Sequence, residues 1–169
     1  MLDLNLTDVE RLILANQYEI LGALKKDTHY TKLAEALRDG HKWLYEQSLE
    51  GVSEVMSDNV AEDVLRIIEI YSAMKDSYRD LADKSGIDEH LLEFRGFDGN
   101  NEGELLHFAR ALRENGRYED TLKHGDINSH MPMCGIYDRM VGAWVKLGRP
   151  EFPYSREAIL AILEARKGH

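Results

Sequence analysis

The single cysteine of this 169-residue chain occupies the position that most suggests chemistry. Cys134 follows Pro132 by two residues, near the predicted start of a helix, and His130 lies four positions before it. A helix N-terminus and a nearby imidazole both lower the pKa of a thiol and favour the nucleophilic thiolate. Met131 and Met133 are apolar neighbours, however, and a cysteine in such surroundings is more often buried and inert. We therefore predict an unreactive Cys134, with a reactive thiol as the alternative.

Two groups of residues resemble metal sites, but neither provides a full set of ligands. Glu104 and His107 form a Glu-x-x-His pair, but a di-iron bundle needs two such pairs and further inward glutamates. Residues 98–103 match the first half of a calcium loop, yet position twelve is Ala109 rather than a bidentate glutamate. The same run is more typical of a helix start that one of its two asparagines caps. We expect no metal and no cofactor.

Asn16 interrupts an otherwise apolar stripe on the first predicted helix. That helix should begin near Thr7, which stands in the capping-box relation to Glu10. The stripe has helical spacing and comprises Val9, Ile13, Asn16, Ile20 and Leu24. Such a stripe is expected to face the core, where a buried amide must find partners and so fixes one packing geometry. The alternative is that Asn16 contacts a small molecule in a cleft between helices.

The remaining pattern predicts an all-α fold. Only three prolines occur, and apolar residues recur at spacings of three and four. The clearest helix covers about 59–84 and carries an a/d seam over three heptads. This seam comprises Val60, Val64, Ile67, Tyr71, Met74, Tyr78 and Leu81. Either the core of the protein or a second subunit should cover it, so we predict a single helical bundle around this helix, with 1–169 as one domain.

Two short segments are ambiguous. Residues 2–6 alternate between leucine and polar residues, as a short strand would. Residues 41–50 fit a strand through Trp43 and Tyr45, but they fit a helix equally well. A short β ribbon formed by the two segments near the N-terminus is therefore the alternative to a helix over residues 41–50.

Charge and composition exclude several classes of protein. The chain carries 21 Lys and Arg against 31 Asp and Glu, a formal net charge of −10. Nucleic-acid binding needs a cationic face, so we expect no direct contact with DNA or RNA. The longest run without charged residues, 127–137, is too short to cross a bilayer. The lone cysteine fits a reducing compartment, and the N-terminal residues lack the pattern of a signal peptide. We therefore expect a soluble cytoplasmic protein.

Several runs, in their order along the chain, resemble the YfbU family of small, helical, cytoplasmic bacterial proteins. These runs are 10–18, 94–98, 116–118, 132–133 and 137–140. The resemblance covers most of the chain but implies no catalytic residues. It singles out residues that mark either a surface for a ligand or partner, or shared packing: Asn16, Gln17, Tyr18, Gly96, Phe97 and Asp98.

The leading functional prediction is a protein-interaction module without catalysis, which self-associates as a dimer and contacts another protein. A small-ligand-binding protein or enzyme is the alternative, with a polar cleft between helices. Its carboxylates would come from Glu69, Asp76, Asp98 or Glu104. A weaker alternative is a regulatory partner of a DNA-binding or toxin-type system.

Overall fold

The computed structural model describes residues 5–49, 55–123 and 125–168. These residues divide between two compact units, 1–55 and 56–169. Helices dominate both units, and in the described part of the chain the only β-type pairing is an isolated bridge between Phe97 and Asn128. The all-α prediction is therefore confirmed.

In its described part, unit 1 consists of the helices α1 (Asp8–Lys25), α2 (Thr28–Asp39) and α3 (Lys42–Leu49). The predicted capping box begins α1. The Thr7 hydroxyl accepts a hydrogen bond from the Glu10 backbone N–H, and the Glu10 carboxylate accepts one from the Thr7 N–H at 2.8 Å. This reciprocal pair satisfies amides that would otherwise have no partner in the first helical turn.

Small residues bring α1 and α2 close together. Ala15 and Gly22 are buried along the side of α1 that packs against α2. A Cβ atom at Gly22 would stand 3.0 Å from the Thr31 hydroxyl, so the glycine permits this close approach. Ala34, Leu37 and Tyr45 join Ala15 in the buried cluster of the unit.

The β-ribbon alternative is wrong for its second strand. Residues 42–49 form the helix α3, and Tyr45 projects into the core of unit 1 with 5% of its surface exposed. A helical turn lets Tyr45 reach this core without requiring a partner strand. Residues 2–4 of the proposed first strand lie outside the described residues.

Unit 2 is organised around α4 (Asp58–Asp80). Its other described helices are α5 (Gly103–Glu114), α6 (Glu119–Leu122), α7 (Cys134–Lys146) and α8 (Arg156–Glu164), with 3-10 turns at Glu89–Leu92 and Ala165–Lys167. Helices α5, α6 and α7 all pack against α4. At 1.5 Å per residue, α4 is about 34 Å long, which is long enough to contact all three helices.

The central helix ends earlier than the predicted 59–84. It stops at Asp80, and Leu81 already has an extended conformation. Beyond it, the Asp83 carboxylate accepts a hydrogen bond from the Ser85 N–H at 2.9 Å. Such a local bond offers the backbone an alternative to the helix. The apolar spacing in the sequence extends beyond the end of the helix because Leu81, although it is not helical, still packs against the core.

Aromatic rings occupy the centre of unit 2. Tyr71 of α4 contacts Phe94 and Tyr137 edge to face, with ring centroids 5.6 and 5.8 Å away. Phe97 contacts Tyr137 in the same geometry. Edge-to-face pairs add attraction beyond the burial of their surface. Ser77, also buried, accepts a hydrogen bond from the Tyr154 N–H at 2.7 Å.

Candidate functional site

The stripe predicted to be the buried side of α1 is exposed instead. Val9 is 66% exposed, Ile13 51%, Ile20 59% and Leu24 75%. The prediction failed because α1 carries apolar residues on both sides, and the small Ala15 and Gly22 allow the closer packing on α2. We call the exposed side the α1 face, comprising Val9, Leu12, Ile13, Asn16, Gln17, Ile20 and Leu24.

Asn16 lies at the middle of the α1 face and is exposed rather than buried. Its side-chain oxygen accepts a hydrogen bond from Arg38 of α2 at 2.9 Å. The same guanidinium donates to Glu19 at 3.1 Å. Asn16 thus has a structural partner within unit 1, while its amide N–H₂ donors are not used in that bond. Arg38 was not predicted as a partner of Asn16, because it lies 22 positions away on another helix.

The neighbours of Asn16 differ in exposure. Gln17 is exposed on the α1 face. Tyr18 is half-buried, and its ring stacks on that of Tyr30 with centroids 6.1 Å apart. Of the three residues predicted on α1, Asn16 and Gln17 therefore belong to a surface and Tyr18 to the packing of α1 with α2.

The other predicted contact residues form a buried loop in unit 2. Phe97 is 0% exposed and Asp98 is 2% exposed, and Gly96 is also buried. Gly96 has a φ of +81°, and a Cβ atom there would overlap the Ile127 carbonyl oxygen. The Gly96 carbonyl accepts a hydrogen bond from the Tyr137 hydroxyl at 2.8 Å. These contacts favour the packing interpretation for this loop.

Glu102 holds the buried loop and the start of α7 together. One carboxylate oxygen accepts hydrogen bonds from the Met133 and Cys134 amides, each at 2.7 Å. The other accepts one from the Asp98 amide at 2.9 Å. Burial raises the pKa of Glu102, but these amides outweigh it, so the net effect lowers the pKa. Sequence reasoning missed this role because the α7 amides lie more than thirty positions away.

The expected asparagine cap of α5 is not formed. The N-cap residue is Glu102, without a side-chain cap hydrogen bond, and its N–H donates to the Asp98 carbonyl at 2.7 Å. The Asp98 carboxylate instead accepts hydrogen bonds from the Asn100 amide and the Asn101 side chain. Of the carboxylates that resembled a calcium loop, Asp98 is thus bonded within its own loop, whereas Glu102 is bonded both to that loop and to the start of α7.

Cys134 begins α7, as its position after Pro132 predicted. Burial, followed by the adjacent Glu102 carboxylate, raises the pKa of Cys134 to about 12. The thiolate is therefore strongly disfavoured near neutral pH. This environment favours the inert alternative for Cys134 over a nucleophile.

The a/d seam of α4 lies within unit 2. Val64, Ile67, Tyr71 and Met74 belong to the core of that unit, and all are at most 8% exposed. The other three members, Val60, Tyr78 and Leu81, are half-buried. Much of the seam is thus covered by helices of the same chain.

The four carboxylates proposed for a ligand site have separate surroundings. Glu69 accepts a hydrogen bond from the Tyr118 hydroxyl at 3.0 Å. Asp76 pairs with Arg79 at 3.0 Å on the same helix. Asp98 is bonded within the buried loop, as described above, and Glu104 is exposed in the first turn of α5.

A cavity of about 340 Å³ opens beside α4. Its walls comprise Lys75, Tyr78, Arg79, Glu89, Leu92, Glu93 and Lys123. Burial lowers the pKa of Lys75, and the nearby charges of Lys123 and Arg79 lower it further. Lys75 donates to the Asp120 carbonyl at 2.8 Å, and Lys123 donates to the Asp120 carboxylate. The cavity walls therefore carry three cations and two carboxylates, and two of the cations are hydrogen-bonded to Asp120.

Within 5–49, 55–123 and 125–168, no three His, Cys, Asp or Glu side chains are grouped closely enough to hold a metal ion. In the same part of the chain, no helix is both long enough and apolar enough to cross a membrane.

Comparison with known proteins decides the family. The model of the YfbU domain matches residues 4–165, which is most of the chain. This chain belongs to the YfbU family. The resemblance predicted from the short sequence runs is therefore confirmed.

Relatives of this YfbU protein share about a third of its residues. "UPF0304 protein MJECS11" of Methanocaldococcus jannaschii is 32% identical, over 95% of this chain and 99% of the relative. "UPF0304 protein PM1500" of Pasteurella multocida is 33% identical over 83% and 88%. A "UPF0304 protein" of Histophilus somni is 32% identical over 96% and 100%. These names state no activity, substrate or partner.

Proposed function

We propose that this YfbU protein is a self-associating protein-interaction module, which acts as a dimer and without catalysis. The observation that carries the proposal is the α1 face. Its apolar side chains are half to three-quarters exposed, although they lie together on one helix. Contiguous apolar surface on a soluble protein commonly marks a site of protein contact.

The α1 face is also distinct from the core that holds unit 1 together. Ala15 on the opposite side of α1 supplies that core, with Leu14 and Tyr18 packed against it. Ile13 and Ile20 could therefore change without opening this cluster. A surface that fixes no internal packing is suited to recognition, because its side chains are available in the folded monomer.

The proposal is tested by light scattering of the full chain over a range of concentrations. The unaltered protein should approach twice its monomer mass of 19.4 kDa as concentration rises. Ile13→Glu and Ile20→Glu should remain monomeric, because each would bury a charge in the interface.

Val145→Glu supplies the matched control, since Val145 is an exposed apolar residue of α7 in unit 2. It should dimerise as the unaltered protein does. A protein that stays monomeric at high micromolar concentration would contradict the proposal, as would dimers unaffected by both isoleucine substitutions.

A second candidate function is binding of a small polar ligand in the cavity beside α4. The specific observation in its favour is that charged and apolar residues, including Lys75, Glu93 and Leu92, line the same cavity of about 340 Å³. Such pockets orient a ligand with a few polar groups. Thermal shift with a panel of charged metabolites tests it. Lys75→Met should abolish any shift that the unaltered protein shows, and a panel without a shift counts against this function.

We further propose that the dimer works in the cytoplasm and contacts another protein. The net charge of −10 supports a partner other than nucleic acid, since a chain of this charge is repelled by phosphates. Isolation of tagged protein from its own host, followed by mass spectrometry, tests this part. A partner that disappears with Ile13→Glu would show that its binding requires either the α1 face or the dimer that this face forms.

A further inference from the structure

We infer that two copies of this chain pair through the α1 face with their α1 helices antiparallel, about a two-fold axis near Asn16 and Gln17. The inference rests on the proposed function, because it names the partner and the orientation for that same surface. It commits to a second copy of the chain rather than to a different protein.

The spacing of the apolar residues supports this arrangement. Helix α1 runs from Asp8 to Lys25, so its midpoint lies between Asn16 and Gln17. Ile13 and Ile20 lie equally far from that midpoint, on either side. Val9 and Leu24 likewise lie equally far from it. A two-fold interface requires a surface that is complementary to itself, and antiparallel pairing brings each residue against its counterpart.

The charges at the ends of α1 favour antiparallel over parallel pairing. The first turn carries Asp8 and Glu10, whereas Lys25 lies in the last turn and Lys26 caps the helix. An antiparallel partner brings the acidic end of one helix towards the basic end of the other. A parallel partner would bring like charges together, which disfavours that orientation. The helix dipoles act in the same direction.

The polar centre of the α1 face fits the same axis. Asn16 has an amide N–H₂ that its bond to Arg38 does not use, and Gln17 is exposed beside it. About the proposed axis, Asn16 of one copy lies opposite Gln17 of the other, and carboxamides are both donors and acceptors. A paired polar group in an apolar interface fixes orientation at some expense of stability.

The size of the face sets the expected strength. A standard interface buries about 800 Å² on each partner, which the few apolar side chains of one helix do not reach. The dimer should therefore be weak, with a dissociation constant on the order of micromolar, and copies should exchange readily. Ready exchange allows differently labelled copies to be mixed.

Disulfide trapping in the full chain tests the orientation. Cys134→Ser removes the single native cysteine, and Val9→Cys or Leu24→Cys is then added to separate preparations, one of them tagged. When the two are mixed under mild oxidation, the expected product is a cross-linked heterodimer of Val9→Cys with Leu24→Cys. Each preparation alone should cross-link little, because like positions would lie about 22 Å apart along the antiparallel helices.

Glu62→Cys, at an exposed position of α4, measures cross-linking by random collision. A heterodimer yield at least several-fold above that background supports the inference. Efficient self-cross-linking of Val9→Cys would indicate parallel helices and overturn it. If light scattering shows a dimer but the cross-linked heterodimer does not form, the antiparallel arrangement is wrong and the proposed function is unaffected. A protein that remains monomeric would contradict both the antiparallel arrangement and the proposed self-association.

Discussion

At the scale of single residues, the loop around Gly96 and the carboxylate of Glu102 do the most positioning in unit 2. Gly96 allows the backbone to pass against Ile127, where any side chain would overlap a carbonyl. Glu102 connects that loop to the first amides of α7. Neither residue offers a surface, so their contribution is to the geometry of the unit rather than to recognition.

Gly96→Ala should destabilise the protein by about 2 kcal/mol or more. The positive φ of +81° disfavours a side chain, and the new methyl group must also displace the Ile127 carbonyl. Gly142→Ala, within α7, is the matched control, because a Cβ atom there meets nothing within 4 Å. It should be stabilising by about 0.5 to 1 kcal/mol. Urea unfolding measures both, and equal effects would contradict the role given to Gly96.

Glu102→Gln should lower the free energy of unfolding by about 2 kcal/mol at pH 7, because amides bonded to a charged carboxylate lose part of their attraction. Burial raises the pKa of Glu102, but its amide partners lower it by more, so the folded value lies below the ordinary 4.5. The stabilisation is therefore complete above about pH 4.5. It is lost as pH falls through the folded pKa, where the carboxylate gains a proton.

Urea unfolding of the unaltered and Glu102→Gln proteins at several pH values measures this difference. The gap between them should close as the pH is lowered from 5 towards 3. Glu104→Gln, in the exposed first turn of α5, is the matched control and should show little gap at any pH. A Glu102→Gln gap that is constant over this range would contradict the prediction.

At the scale of helices, α4 and α1 show how far sequence patterns reach. The buried side of α4 could be predicted, because its large apolar residues recur on one side over several turns and polar residues take up much of the other. The orientation of α1 could not. Both of its sides are partly apolar, and the deciding residues, Ala15 and Gly22, act by being small. Periodicity measures hydrophobicity and is insensitive to how closely two helices can approach.

The candidate site could be predicted only in part, for the same reason. Asn16 and Gln17 were identified from the stripe and the family resemblance, but their exposure depends on which side α2 covers. Glu102 and Arg38 were missed because their partners lie far along the chain or on another helix. Local spacing identifies caps such as Thr7 well, since both partners lie within one turn.

Met74→Ala on α4 should destabilise the protein by about 2 to 5 kcal/mol, because Met74 is 0% exposed and its loss leaves a cavity. Leu24→Ala on the α1 face is the matched control, since Leu24 is 75% exposed. At concentrations below that of dimerisation it should change stability by no more than about 0.5 kcal/mol. Urea midpoints compare the two, and a large loss for Leu24→Ala would mean that the α1 face is covered within the monomer.

At the scale of the whole molecule, the chain separates into two units that each have a core. Among the described residues, the buried cluster of unit 2 comprises residues between Val64 and Leu163, and that of unit 1 comprises residues between Ala15 and Tyr45. The prediction of one domain over 1–169 rested on the absence of a linker-like composition. A domain boundary that is not enriched in proline or glycine is hard to recognise from the sequence. That residues 1–169 unfold as one cooperative domain therefore remains a prediction.

A fragment covering residues 56–169 should fold by itself, because its core is built from its own residues. Circular dichroism should show a helical fragment that unfolds in one transition in urea. Lacking α1, the fragment should stay monomeric at concentrations where the full chain dimerises. An unfolded fragment would instead support one cooperative domain, and a dimeric fragment would assign self-association to unit 2.

The side chains on the solvent side of α1 lie outside the buried clusters of both units. Substitutions on this side of α1 do not disturb the cores, so selection for folding does not act on them. These positions are constrained mainly by the molecule that binds the surface. Homologues with one shared architecture can therefore diverge in stoichiometry through a handful of positions on a single helix.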